Sequence, residues 1–402
     1  MQYDTITKSD ELQRLCDELS QAERIAFDTE FVAEHTYRPQ LCLVQVAWAD
    51  RMAIIDTMEL VDITPFWEAL AAPGHVTLVH AGREEIGFSL AAIGRPPANM
   101  LDIQIAAGMV GYEYPAGYGS LAGKLLGAEI KKGETRTDWR RRPLSQQQLN
   151  YALIDVLYLE EMADKLLSRV EELDRRDWLD VEMRAWVAQV EEAFVRERWR
   201  RVSGINGLGS RGLAIIRELW RWREEEAGRR DKPVKRILRD DLMVEMAKRR
   251  SADPKQIRAV RGMERGDLRD SLPQIAQRIQ VALEMPDDEL PRGSGRNHVP
   301  PQVNVLGQFL SSALGSICRR ASIAASMVGN PSDVRELIAY RLGYFRDGDD
   351  PPSLAVGWRA EVVGNLIEDL LVGKVSIRID DPHSDHPLVF EPIEAAQEKA
   401  EG

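Results

Sequence analysis

The run Arg24-Ile-Ala-Phe-Asp-Thr-Glu-Phe31 carries an apolar stretch directly into two carboxylates, Asp28 and Glu30, two residues apart. A short apolar run of this kind reads as a β-strand, and side chains at i and i+2 of a strand share one face. Mg²⁺ takes oxygen ligands and commonly binds one or two protein carboxylates together with substrate phosphate, so the pair suits a hard divalent ion. Alone, Asp-x-Glu reads as readily as a solvated turn, and the rest of the chain decides between the two.

Two later segments bear on that choice. Leu144-Ser-Gln-Gln-Gln-Leu-Asn-Tyr-Ala-Leu-Ile-Asp155 opens with Ser145 and Gln148 in capping-box spacing and with Leu144 and Leu149 placed as a hydrophobic staple, which predicts a helix start. Leu149, Ala152, Leu153, Val156 and Leu157 recur at helical period and form its buried stripe. Tyr151 and Asp155 are then neighbours one turn apart. Between the strand and this helix, Val76-Thr-Leu-Val-His-Ala-Gly-Arg-Glu-Glu-Ile86 ends an apolar run in His80, passes small residues, and opens a helix with Glu84 and Glu85. Acids in a first helical turn also suit the helix dipole, and His80 reads as packing under the junction.

In this order the three segments resemble the exonuclease motifs of the DEDDy class of 3′–5′ exonucleases. The loop Lys132-Gly-Glu-Thr-Arg-Thr-Asp-Trp-Arg140, the following Arg142-Pro-Leu144 and the strand Gln40-Leu-Cys-Leu-Val-Gln45 extend the likeness to the ribonuclease D family over roughly the first 165 residues. The resemblance implies an α/β ribonuclease H-like 3′–5′ exonuclease domain, a mixed sheet flanked by helices, followed by all-α HRDC-type domains. It implies hydrolysis of the RNA 3′ end with two divalent ions, Mg²⁺ or Mn²⁺, and release of nucleoside 5′-monophosphates. Asp28 would bridge both ions, Glu30 and Asp155 would complete the first site, Glu85 would hold the second through water, and Tyr151 would orient the attacking water. The implied substrates are structured RNAs with single-stranded 3′ ends, notably tRNA precursors. The family ordinarily has aspartate where this chain has Glu85, and the extra methylene shifts a carboxylate by more than metal distances tolerate unless the backbone adjusts. A weakly active or inactive RNA-binding scaffold therefore stays open as an alternative, and so does a DNA 3′–5′ exonuclease, since the same carboxylates serve both sugars.

A net charge of −12 over 402 residues argues against a broadly basic wrap-around binder and makes local patches decisive. Lys131, Lys132, Arg136 and Arg140 to Arg142 cluster ahead of the third motif, Arg196, Arg198, Arg200 and Arg201 flank Trp199, and a further basic stretch runs from Arg229 to Arg239. The first cluster lies on the family loop, so Lys132, Arg136 and Arg140 are the expected RNA contacts. Cys16, Cys42 and Cys318 show no zinc or disulfide spacing, which fits buried thiols in a reducing compartment. The N-terminal residues lack a basic-then-apolar leader and no run approaches membrane-spanning length, so a cytoplasmic protein without a membrane partner is expected.

The domain reading is an exonuclease domain over 1–165, connecting helices over 166–206, an HRDC domain over 207–285, a Pro- and Gly-rich linker over 286–301, a second HRDC-like domain over 302–380 and an acidic, frayed tail over 381–402. Residues 24 to 56 read as three strands with a hairpin, and Val76–His80 and Met100–Ile103 as two more. Leu213–Trp220, Asp241–Ala247 and Leu272–Ile279 carry helical periodicity in the HRDC region. Gly357-Trp-Arg359 reads as an interface or packing motif, and His383 and His386 are too isolated to hold a metal.

Overall fold

The computed structural model describes residues 2–60, 62–130, 137–292, 300–345, 349–384 and 386–393. The N-terminal domain is built on a six-stranded mixed sheet of order β1-β4-β3-β2-β5-β6. Its strands are β1 (Asp4–Ile6), β2 (Arg24–Val32), β3 (Gln40–Trp48), β4 (Arg51–Ile55), β5 (Val76–Val79) and β6 (Met100–Asp102). The three strands read between residues 24 and 56 are present, and β3 turns into β4 through Ala49 and Asp50, both at positive φ (44° and 62°), as a tight two-residue hairpin requires. β1 was not legible, because three residues are too few to establish a period.

Helices α1 (Ser9–Leu19), α2 (Thr64–Ala71), α3 (Arg83–Ile93), α4 (Ile103–Met109), α5 (Tyr118–Leu126), α6 (Gln146–Leu157), α7 (Leu159–Glu172) and α8 (Arg176–Val195) cover the sheet. One face buries Phe27, Val44, Val46 and Ile55 against the helices of the large core. The other packs Val32, Cys42, Leu43 and Ile54 against Ala152 and Leu153 of α6 and against Trp139. This alternation orients the acids. Phe27, fully buried edge-on to Phe66 and Trp67 at 5.9 and 6.1 Å, points to one face, so Asp28 must point to the other, toward α6. β2 pairs with parallel β5 only from Arg24 to Ala26, so its second half overhangs the end of β5, and its register against β3 shifts between Glu30 and Phe31. Asp28 and Glu30 lie on that overhang.

The HRDC region folds as α9 (Ser210–Arg230), α10 (Val234–Ile237), α11 (Asp240–Arg249), α12 (Pro254–Arg258), α13 (Gly266–Arg269) and α14 (Leu272–Glu284), around a core of its own. It meets the first domain at the loop after β2, where the Tyr37 backbone N–H donates to Asp231 (3.0 Å) and the Tyr37 hydroxyl to Glu224 (3.0 Å). The last region contains α15 (Pro301–Arg320), α16 (Ala325–Val328), α17 (Pro331–Arg341), α18 (Gly357–Arg359) and α19 (Asn365–Leu371), and its buried residues are continuous with the core of the first domain. It then ends in a hairpin, β7 (Val375–Ile379) paired antiparallel with β8 (Leu388–Pro392). The expectation of a frayed tail after residue 380 is corrected as far as residue 393: the alternation in Val375-Ser-Ile-Arg-Ile379 and the β-rich Leu388-Val-Phe390 favour a strand pair, a signal that the acidic and Pro-rich composition obscured. Residues 394–402 lie outside the described residues. No helix among the described residues is long and apolar enough to cross a membrane.

Gly357-Trp-Arg359 is the packing motif its sequence suggested. Trp358 stacks on Trp178 of α8 at 5.9 Å, and its indole N–H donates to Glu182. Arg359 grips the same Glu182 with two bonds, 2.9 and 2.8 Å, and also reaches the carbonyls of Met327 and Val328. Glu182→Ala would strand two half-buried donors, a loss of about 1–3 kcal/mol. Scanning calorimetry is expected to show unfolding at lower temperature, and an unchanged thermogram would contradict this role for Glu182.

Candidate active site

β2 and β3 lay Asp28 and Gln45 directly opposite each other, and the buried Gln45 amide donates from Nε2 to Asp28 Oδ2 at 2.9 Å. Two residues on, Glu30 shares the face. α6 crosses this face and begins as its sequence predicts: Ser145 Oγ accepts from the Gln148 N–H (3.2 Å) and Gln148 Oε1 from the Ser145 N–H (2.9 Å). The cap fixes the helix phase, so Tyr151 and Asp155 face the strand acids. One oxygen each of Asp28, Glu30 and Asp155 lies within 4.8 Å of the others. Tyr151 packs on the buried Trp139 with ring centres 6.2 Å apart, which orders the tyrosine beside Asp155.

Glu85 arrives by another route. The His80-Ala-Gly82 junction between β5 and α3 holds Ala81 at φ 57°, and a Cβ on Gly82 would come within 2.5 Å of Val79, so glycine is required there. The buried Asp102 carboxylate accepts from the N–H groups of Ala81 (3.1 Å), Gly82 (3.0 Å) and Gln104 (2.8 Å), tying this turn to the start of α4. α3 then delivers a buried Glu85 whose Oε1 accepts from Thr29 Oγ1 at 2.6 Å. Thr29 lies between the two strand acids, so Glu85 reaches β2 from the α3 side. It stands outside the group of three, yet its charge acts on both Asp28 and Glu30.

His80 is a packing residue. Its ring nitrogen bonds to the Ala116 carbonyl (2.9 Å), its ring meets Tyr118 edge-on, and burial holds its pKa down. Tyr118 in turn donates to the Ile154 carbonyl (2.6 Å) and accepts from the Tyr158 N–H (3.2 Å), pinning the α6–α7 junction beside Asp155. Of the residues read as RNA contacts, Lys132 and Arg136 lie outside the described residues, and Arg140 is paired to Asp138 through two bonds of 2.8 and 3.0 Å. The neighbouring Arg142 binds Asp56 bidentately, 2.6 Å for each bond, and so belongs to the architecture. Gln45, Thr29, Asp102 and Tyr118 went unnoticed in the sequence. Only Gln45 had a signal, as the single polar side chain inside the apolar run Leu41–Trp48.

Burial, the largest cause throughout, raises every acid here, and repulsion from the neighbouring acids adds to it at Asp28 and Glu30. Asp28 is held well above the carboxylate range, Glu30 is pushed up to about 8, and Asp155 to about 7 against the opposing hydrogen bond from Tyr151. Glu85 is raised to about 7 despite Thr29. Burial and these same acids push the Tyr151 phenol upward, so it stays neutral. Among the described residues no lysine or arginine forms an ion pair with any of the four. Clustered oxygen donors without a neutralising side chain fit a hard divalent cation.

The sign of the pH dependence follows. The raised carboxyls contribute stability that is complete below the unfolded-chain value, about 4, and that is lost as pH rises through about 7 to 8. In EDTA, Tm is therefore expected to fall between pH 6 and 8.5, and Mg²⁺ or Mn²⁺ to restore more of it at pH 8.5 because cation competes with proton. The paired variant Asp28→Asn with Glu30→Gln should flatten this slope. Equal slopes in wild type and variant would contradict the shared protonation.

A family model described as 3′–5′ exonuclease matches residues 3–171, and one for the HRDC domain matches residues 212–279. Ribonuclease D of Granulibacter bethesdensis is 33% identical over 388 residues, covering 93% of this chain and 94% of that protein. Ribonuclease D of Serratia proteamaculans is 27% identical over 374 residues, covering 93% and 100%. The crystal structure of Escherichia coli RNase D, an exoribonuclease involved in structured RNA processing, matches with a TM-score of 0.80 at 27% identity over 93% of this chain and 99% of that one. A protein from Bifidobacterium adolescentis, 22% identical with a TM-score of 0.65 over 92% of this chain and 97% of its own, shares the fold. With similarity to ribonuclease D running along nearly the whole length of both chains and the exonuclease and HRDC models matching in order, this chain belongs to the ribonuclease D family and is a 3′–5′ exoribonuclease.

Proposed function

We propose that the chain trims single-stranded 3′ ends of structured RNA, tRNA precursors among them, at the cleft between the β2 overhang and α6, releasing nucleoside 5′-monophosphates. The observation that carries this reading is the convergence of Asp28, Glu30 and Asp155 oxygens within 4.8 Å of one another. Exonucleases of this family depend on divalent metal ions. Here Asp28, Glu30 and Asp155 would hold one ion, and Asp28 with Glu85 a second. Such ions stabilise charge on the phosphoryl group and lower the pKa of the attacking water.

The chain's own groups divide the remaining work. Tyr151, neutral and braced by Trp139, orients the attacking water through its hydroxyl. Thr29 fixes the rotamer of Glu85, so the longer side chain keeps a carboxyl group near Asp28 although it departs from the family aspartate. That retained oxygen donor favours an active enzyme over a decayed scaffold. The loop bearing Lys132, Arg136 and Arg140 is the proposed contact for the RNA backbone. RNA is favoured over DNA by the family, and the discriminating groups would be those that meet the 2′-OH.

Asp28→Ala and Asp155→Ala are expected to lower turnover of a 3′-tailed RNA about a thousandfold or more, since losing cation stabilisation worth several kcal/mol has that effect. Tyr151→Phe should lower kcat about ten- to a hundredfold, the equivalent of one charge-assisted hydrogen bond, with KM little changed. The measurement is monophosphate release from paired RNA and DNA oligonucleotides of one sequence. Near-wild-type turnover in either alanine variant would overturn the reading, and faster cleavage of the DNA would reassign the substrate.

A further inference from the structure

Gln45 stands in the middle of β3, fully buried, with an amide whose two ends differ in their surroundings. Nε2 donates to Asp28 Oδ2 at 2.9 Å, while Oε1 meets no donor among the described residues. An apolar residue would fit this run of Leu43, Val44, Val46 and Ala47 without leaving a buried carbonyl unpaired. The amide therefore stands at this position against the local packing preference, and among the described residues its one side-chain bond is the bond to Asp28.

The chemistry of that bond is particular. An arginine or lysine at this point would also fix Asp28, but it would neutralise the carboxylate and compete with a cation for it. Water would leave the carboxylate free to rotate. An amide gives a directional donor with no charge, and its strand register, Asp28 opposite Gln45, sets the direction through the backbone. With Oδ2 held from the β3 side, the carboxylate can turn toward the Glu30 and Asp155 oxygens gathered around the cleft.

We propose that Gln45 is a positioning residue whose amide fixes the Asp28 carboxylate so that it presents its remaining lone pairs to the cation shared with Glu30 and Asp155. The inference rests on the cation reading of this cleft given above. Partners that orient metal ligands in this way typically change metal affinity or activity by about 10- to 100-fold when removed.

The test compares full-length wild type, Gln45→Met, Gln45→Asn and Asp28→Ala. Mn²⁺ affinity is measured by titration calorimetry, and kcat and KM on a 3′-tailed RNA oligonucleotide. Gln45→Met keeps the volume and removes the donor. Gln45→Asn keeps an amide but is one methylene too short to reach Asp28. Both are expected to bind Mn²⁺ about 10- to 100-fold more weakly, to lose kcat with KM for RNA unchanged, and to regain part of kcat in excess Mn²⁺. If either folded variant keeps wild-type Mn²⁺ affinity, or loses kcat without losing affinity, the positioning role is wrong. If neither variant folds, Gln45 serves the sheet rather than Asp28, and the proposal falls as well. Asp28→Ala separates the two levels: wild-type Mn²⁺ affinity in that variant would refute the cation reading itself, whereas weakened binding there with normal binding in both Gln45 variants would refute only the role of Gln45.

Discussion

Like charges gathered at the end of an apolar strand are the constraint on which this molecule is organised. Three carboxylate oxygens within 4.8 Å of one another would, if all were ionised, repel by at least about 3 kcal/mol per pair at an effective dielectric near 20. Summed over the pairs, that approaches the about 5–15 kcal/mol by which a whole domain is stable. The cluster persists only because protons are retained, as the raised Glu30 and Asp155 imply, or because a cation takes their place. The surroundings hold the geometry through either state. Phe27 locks the strand on one side, the Ser145 cap sets the phase of α6 on the other, and Asp102 and Gly82 fix the entry of α3.

The helical regions attach to this centre in two different ways. The last region shares its core with the exonuclease domain and is clamped to α8 by Trp358, Arg359 and Glu182, so it behaves as part of the scaffold. The HRDC region keeps its own core and touches the first domain at Tyr37, a few residues beyond Glu30 on the same strand-loop segment. Its contact thus reaches the stretch of backbone that leads out of the cleft. Several arginines of the basic clusters read from the sequence pair with acids of the chain itself, most of them at the surface: Arg140 with Asp138, Arg142 with Asp56, Arg196 with Glu192, Arg229 with Glu226 and Arg239 with Asp241.

Much of the candidate site's geometry was legible because it follows from local rules. The two-residue period of β2, the capping box at Ser145 and the one-turn spacing of Tyr151 and Asp155 each specify a direction for a side chain, and together they predict a shared face. The supporting shell was not legible, since it depends on which strand lies beside which. Gln45 opposes Asp28 only through the β2–β3 register, and Thr29 meets Glu85 across more than fifty residues of chain. Tyr118 reaches α6 and α7 in the same non-local manner. The terminal hairpin was hidden for another reason: an acidic, proline-bearing composition outweighed a short alternation that pairing makes decisive.

The central claim is that the strand acids and Asp155 form one cation site at the end of β2. Anomalous diffraction from crystals of the full chain soaked in Mn²⁺ tests it most directly. The account predicts a Mn²⁺ peak bounded by carboxylate oxygens of Asp28, Glu30 and Asp155. Mn²⁺ bound elsewhere with this cleft empty, or undiminished RNA trimming in excess EDTA, would contradict it.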